Sequence, residues 1–111
     1  MSLVCIIENL KELFMAIVRV TVRTFQNSEH AELFMHFGKT VDTLVDTGLK
    51  VNFTMAQSET QKNQVISIWQ YDDESHMKAV RKKLSSLSKL PNSLMPKEIA
   101  YEAKVVHSLK S

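Results

Sequence analysis

The chain has 111 residues, 44% of them hydrophobic and 23% charged, which suits one domain with a core of its own rather than two. Two Gly and two Pro exclude a collagen-like or low-complexity chain. With 14 basic and 12 acidic residues, the net charge of +2 is too balanced for an electrostatically driven nucleic-acid binder.

Cys5 is the single cysteine, so an internal disulfide and the paired-cysteine zinc sites are excluded. The simplest compartment for such a chain is a reducing one, the cytoplasm. No apolar run approaches the roughly 18–20 residues of a membrane span. Near the start, Leu3, Ile6, Ile7, Leu10, Leu13 and Phe14 recur at helical spacing, with Glu8, Lys11 and Glu12 on the other side. Glu8 and Lys11 interrupt the run and no basic start precedes it, unlike a signal peptide. Residues 1–14 are therefore an amphipathic helix or arm packed on the domain or a partner, or else an extension ahead of a natural start at Met15; both readings stay open. The domain pattern occupies 15–111.

Val18, Val20 and Val22 alternate with Arg19, Thr21 and Arg23, the period of a strand, over about 16–25. Asn27 or Ser28 caps a helix, with Glu29 and Glu32 near its start. Its buried stripe is Phe34, Phe37, Val41, Leu44 and Val45. It runs to about Thr47, where Gly48 supplies a left-handed stop. Gly38, in mid-helix, suggests close packing against a strand. Val51, Phe53 and Met55 mark a second strand over about 49–57, and Ser58 to Asn63 a hairpin loop. A third strand over about 64–71 has Ile66 and Ile68 on one side and Val65, Trp69 and Tyr71 on the other, as for a strand covered on both faces. Asp72 or Asp73 caps a second helix whose stripe is Met77, Val80, Leu84 and Leu87, and the prolines between Leu90 and Pro96 end it. Ile99, Tyr101, Ala103 and Val105 alternate in a last strand.

The order β-α-β-β-α-β specifies an α+β fold, the ferredoxin-like sandwich of four antiparallel strands with both helices on one face. Its helix-free face carries either Val65, Trp69 and Tyr71 or Ile66 and Ile68, apolar in both cases. A second copy packed sheet to sheet would cover it, so a two-fold homodimer through this face is expected.

The stretch Asn63–Leu84, NQVISIWQYDDESHMKAVRKKL, resembles the NIPSNAP family. It has the asparagine-led strand with a tryptophan and a tyrosine, the acidic turn, and a helix with an alanine-valine-arginine step, here Ala79, Val80 and Arg81. The first strand and helix fit less specifically, around Phe34 to Phe37, and the resemblance covers about residues 16–109. It implies a dimeric α/β barrel, two ferredoxin-like sheets facing each other around a cavity. It implies no secured reaction. The family's eukaryotic members, longer chains, are associated with mitochondria and membrane trafficking. Relatives in the fold include cofactor-independent monooxygenases, haem-degrading enzymes and small stress-response proteins, so fold alone selects no function.

If the sheet walls a cavity, Phe53, Trp69 and Tyr71 are its apolar contacts, and Arg19, Arg23 and Asn52 its polar ones. His76 joins them through the fold resemblance. Haem-degrading relatives use an asparagine, a tryptophan and a histidine, the last two on the third strand and second helix. Trp69 and His76 occupy similar elements, but the relatives' asparagine lies on the first strand, which has none here. The ordinary alternatives are packing for Trp69 and solvated surface for His76. His30 and His36, six apart, lack the spacing of a helical metal site, and no metal or cofactor is expected. Lys78, Arg81, Lys82 and Lys83 make a solvated basic helix face. No G-x-S-x-G elbow or glycine-rich phosphate loop occurs, since the glycines are Gly38 and Gly48. The leading expectation is a small dimeric ligand-binding protein without an assigned reaction. The alternative is a cofactor-independent monooxygenase of the antibiotic-biosynthesis type acting on an aromatic or polyketide-like substrate, and a weaker one is haem binding or degradation.

Overall fold

The computed structural model describes residues 16–87 and 90–109; the readings of residues 1–14 lie outside them. Strand β1, Ile17–Thr24, leads into helix α1, Ser28–Gly38, which passes into a 3-10 stretch, Lys39–Thr47. Strands β2, Asn52–Gln57, and β3, Gln64–Tyr71, form the central hairpin. Helix α2, Glu74–Leu84, a short 3-10 turn, Asn92–Leu94, and strand β4, Lys97–Lys104, complete the domain. The sheet order is β2-β3-β1-β4, every neighbouring pair antiparallel. This is the ferredoxin-like arrangement expected from the element order.

Of the candidate caps, Asn27 and Asp73 are the ones used. Their carboxamide and carboxylate oxygens accept from the His30 and His76 backbone N–H groups at 2.8 and 2.7 Å, satisfying donors that the first turn leaves free. The first helix is not α-helical as far as Thr47: it tightens at Lys39 and keeps a three-residue period for nine residues. The Thr40, Thr43 and Thr47 hydroxyls donate to the carbonyls of Phe37, Thr40 and Leu44 at 2.6–2.7 Å. They compete for acceptors that an α-helix gives to the N–H four residues on. The tighter turn also stacks Val41 above Leu44, and both are buried. The stretch ends at Gly48, whose φ of 80° makes it the left-handed stop anticipated there. Gly38 does pack against a strand: a Cβ on it would lie 2.7 Å from the Met55 sulfur on β2.

Val41, Leu44 and Val80 pack with Ile17, Trp69 and Tyr71, while Ala31 and Phe34 pack with Phe25 and Val65. Both helices therefore cover the face of β3 that carries Val65, Ser67, Trp69 and Tyr71. On β1 the same face carries Ile17, Arg19, Thr21 and Arg23. Val18, Val20 and Val22 point to the helix-free side. There the pairing sets up two apolar rows across the sheet, Thr54–Ile68–Val20–Tyr101 and Ala56–Ile66–Val22–Ile99. Ile68, Ile99 and Tyr101 are 37%, 57% and 61% exposed. Of the two sets of residues considered for the open face, it is Ile66 and Ile68 that occupy it.

Candidate functional site

The face under the helices is mixed in character because β1 turns its polar side inward. Cross-strand rows run Phe53–Trp69–Arg19–Glu102, Met55–Ser67–Thr21–Ala100 and Gln57–Val65–Arg23–Glu98. Arg19 and Arg23 are four residues apart on β1, as Glu98 and Glu102 are on β4, so each arginine faces a glutamate. Arg19 pairs with Glu102, and Arg23 Nε donates to Glu98 Oε2 at 3.2 Å. Arg81 on α2 also reaches Glu102, at 3.4 Å, and bridges from the helix to the edge strand. Arg23 Nη1 donates to Ser67 Oγ at 3.2 Å, and its guanidinium lies 5.0 Å from the centroid of the Phe34 ring. Burial pulls the Arg23 pKa down and Glu98 pulls it back up; a guanidinium remains cationic at neutral pH regardless.

Two adjoining recesses open between this face and the helices. One, of about 270 Å³, is lined by Phe34, Phe37, Phe53 and Trp69, with Arg23 and Ser67 on the sheet. The other, of about 340 Å³, holds Arg19, Thr21, Tyr71, Arg81 and Glu98. Arg23, Trp69 and Leu84 border both. The volumes fall near the low end of the roughly 300–1,000 Å³ usual for small-molecule pockets. The aromatic wall is continuous: Phe53 and Trp69 have ring centroids 4.4 Å apart, and Trp69 and Tyr71 are stacked at 6.1 Å.

Of the seven residues singled out from the sequence, Arg19, Arg23, Phe53, Trp69 and Tyr71 come together around these recesses, under the helices; a chamber between two facing sheets would lie on the other face, which carries none of the five. Asn52 does not: it neighbours Phe53 on β2, so its side chain lies on the helix-free face, exposed and opposite Gln70. His76 lies neither in the recesses nor in solvent. Its Nδ1 accepts from the Asp72 N–H at 2.9 Å and its Nε2 donates to the Lys50 carbonyl at 2.5 Å. With both ring nitrogens engaged, His76 offers none to a haem iron, and the haem reading loses its histidine. The imidazole instead ties the segment before β2 to the start of α2, edge-on to Tyr71. His76→Ala should cost about 1 kcal/mol, from two hydrogen bonds to exposed backbone groups that water can replace in part, as read by urea unfolding. Ligand affinity should be unchanged.

Burial pushes the Tyr71 phenol above its ordinary range, against the opposing effect of Arg81 and Arg19. A raised folded pKa means that folding favours the neutral phenol. That contribution is complete below the unfolded value of about 10 and is lost as pH climbs through the folded value. The fall in melting temperature on the alkaline side should therefore be smaller in Tyr71→Phe than in the parent, measured by circular dichroism.

Several members of the site were not among the residues singled out: Ser67 and Thr21, each 2% exposed, Phe34, and the carboxylates Glu98 and Glu102. The matched four-residue spacing of Arg19/Arg23 and Glu98/Glu102 was a signal for the last two. Among the described residues no group of three or more His, Cys, Asp or Glu side chains is placed to hold a metal ion, and no helix is long and apolar enough to cross a membrane.

No protein-family model matches the chain, and no curated protein sequence does. Solved structures do match. A dimeric ferredoxin-like protein from an uncultured marine organism superposes with a TM-score of 0.70 at 21% identity, over 85% of this chain and 98% of that one. SnoaB, a cofactor-independent oxygenase from Streptomyces nogalater, gives 0.62 at 13% identity, over 87% and 99%. A NIPSNAP-like domain protein from Burkholderia xenovorans gives 0.60 at 14% identity, over 80% and 84%. The chain thus shares its fold with a NIPSNAP-like protein and with dimeric ferredoxin-like proteins, as the resemblance implied. At these identities the likeness is one of fold.

Proposed function

We propose that the protein is a small homodimer of NIPSNAP type, closed sheet to sheet into a dimeric α/β barrel. Each copy binds a small apolar or aromatic ligand in the recess between its sheet and helices. The observation that carries the ligand reading is the recess itself. Phe34, Phe37, Phe53 and Trp69 surround a floor where Arg23 and buried Ser67 supply polar contacts, which is the usual make-up of a small-molecule site. The inverted β1 supports the dimer. A central strand that turns its valines away from its own helices needs another cover for them, and a second copy supplies an identical apolar face. The dimeric ferredoxin-like neighbour is consistent with that assembly.

A second reading, an oxygenase without a cofactor, draws on the fold shared with SnoaB. A shaped apolar cavity with a few hydrogen-bond donors can suffice for such chemistry, because the substrate itself supplies the electrons that reduce oxygen.

Trp69 is the only tryptophan and borders both recesses, so its emission reports on them directly. Titration with a panel of polycyclic phenols and quinones should give saturable quenching. Emission unchanged across the panel would overturn the ligand reading. Oxygen consumption accompanying the quenching would favour the oxygenase, and binding without consumption would favour a carrier or regulator.

A further inference from the structure

The charges around the recess narrow the ligand further. We infer that it is an aromatic monoacid, an arene carboxylate held with its ring against Trp69 and Phe53 and its carboxylate on Arg23. This rests on the ligand-binding reading above. Three guanidiniums, Arg19, Arg23 and Arg81, meet two carboxylates, Glu98 and Glu102, so the cluster carries one uncompensated positive charge. Glu102 is shared between Arg19 and Arg81, while Glu98 alone faces Arg23.

Arg23 is where the two walls meet, since it borders both recesses together with Trp69. Among the described residues it gives one N–H to Glu98 and one to Ser67, which leaves three of the five guanidinium donors. Phe34 covers a face of the guanidinium, so those donors, which lie in its plane, remain the route to an acceptor. The side chain is 21% exposed. A charge so placed is partly desolvated, and an anion beside it gains more from the pairing than it would in bulk water.

The alternatives fit less well. A neutral aromatic fills the apolar wall but leaves the three donors to water and gains nothing from the positive charge. A cation meets a net positive cluster. A dianion brings one charge more than the cluster can balance, and would have to expel a glutamate.

Calorimetric titration of the intact protein with 2-naphthoate, its neutral isostere 2-naphthamide and 2-naphthyl phosphate tests this. Naphthoate should bind about tenfold or more tightly than the amide, with affinity falling as salt is raised, and the phosphate should not exceed it. Arg23→Gln should bring naphthoate and amide to nearly equal affinity. Glu98→Gln is the complementary variant: it lies on the exposed edge strand, outside the core, and should tighten naphthoate several-fold relative to the amide. Amide binding equal to or tighter than naphthoate overturns the inference and leaves the ligand reading standing. So does a Glu98→Gln variant that weakens naphthoate. If none of the three compounds binds, the inference fails, and the ligand reading falls with it only if the phenols and quinones also leave Trp69 emission unchanged.

Discussion

Replacing Ile68 with lysine is expected to turn a dimer into a monomer at micromolar concentration without unfolding the chain. Ile68 sits on β3 between Thr54 and Val20, near the middle of the helix-free face, and belongs to neither core cluster. Its loss therefore removes little from the fold of one copy. In a two-fold assembly every substitution appears twice, near the axis if the residue is central. Two ammonium groups would be taken out of water on the same apolar surface without a carboxylate to answer them. The effective penalty is several kcal/mol per ion, so dissociation should be favoured by about a thousandfold or more, about 4 kcal/mol at 1.4 kcal/mol per decade. The surface is large enough for this to matter. Three strands of eight residues and one of six, about 4.8 Å apart with about 3.3 Å per residue, span roughly 480 Å² in projection. The two apolar rows fill the middle of this face, with Asn52, Gln64, Gln70 and Lys97 towards its ends, and apolar patches of a few hundred Å² are often functional. Light scattering with size exclusion should give twice the chain mass for the parent and a single chain mass for Ile68→Lys, with far-ultraviolet circular dichroism preserved. A parent that runs as a single chain, or a variant that keeps the doubled mass, would defeat the sheet-to-sheet assembly.

The same face shows where reading the sequence reaches its limit. Alternation along β1 separates Val18, Val20 and Val22 from Arg19, Thr21 and Arg23, but alternation has no sign. It does not say which side meets the helices. The ordinary rule would place the valines inward and the arginines in water. The structure does the reverse: Arg19, Thr21 and Arg23 lie under the helices and the valines on the helix-free face. β3 offered no arbitration, since both of its sides are apolar. The element order, the Asn27 and Asp73 caps and the Gly48 stop were legible because each is a local matter of spacing and backbone geometry. The grouping of Phe53, Trp69 and Tyr71 with Arg19 and Arg23 was also within reach, as all share one strand parity. Asn52 has the opposite parity from Phe53, and the alternation already set it apart. His76, read from the sequence as a cavity residue or else as solvated surface, is neither, because its acceptor partner is the backbone carbonyl of Lys50, which leaves no trace in residue identity. The tightening at Lys39 turns on three threonine hydroxyls whose competition for carbonyls depends on their rotamers.

Trp69→Ala should be the most costly substitution in the core, and the recess sets its size. Truncating a buried Trp typically costs about 3–5 kcal/mol. Trp69 is 9% exposed and packs with Phe53 and Tyr71, but the recesses already border it. Its removal enlarges an open space instead of creating a sealed void, so the cavity part of the penalty is reduced and about 3 kcal/mol is expected. Against a total stability of about 5–15 kcal/mol, that should lower the melting temperature by about 10–15 °C. Trp69→Phe keeps the aromatic contact with Phe53 and should cost about 1 kcal/mol. The distinguishing result is rescue. An apolar space of indole shape opening onto an existing recess should accept free indole, and ligand at ten times its dissociation constant returns about 1.4 kcal/mol of stability. Indole should therefore raise the melting temperature of Trp69→Ala by several degrees and leave that of Trp69→Phe unchanged. A Trp69→Ala variant that melts with the parent would show that the indole is not part of the core. One that loses stability without responding to indole would show that the space collapses, and that the recess beside Trp69 does not hold its shape.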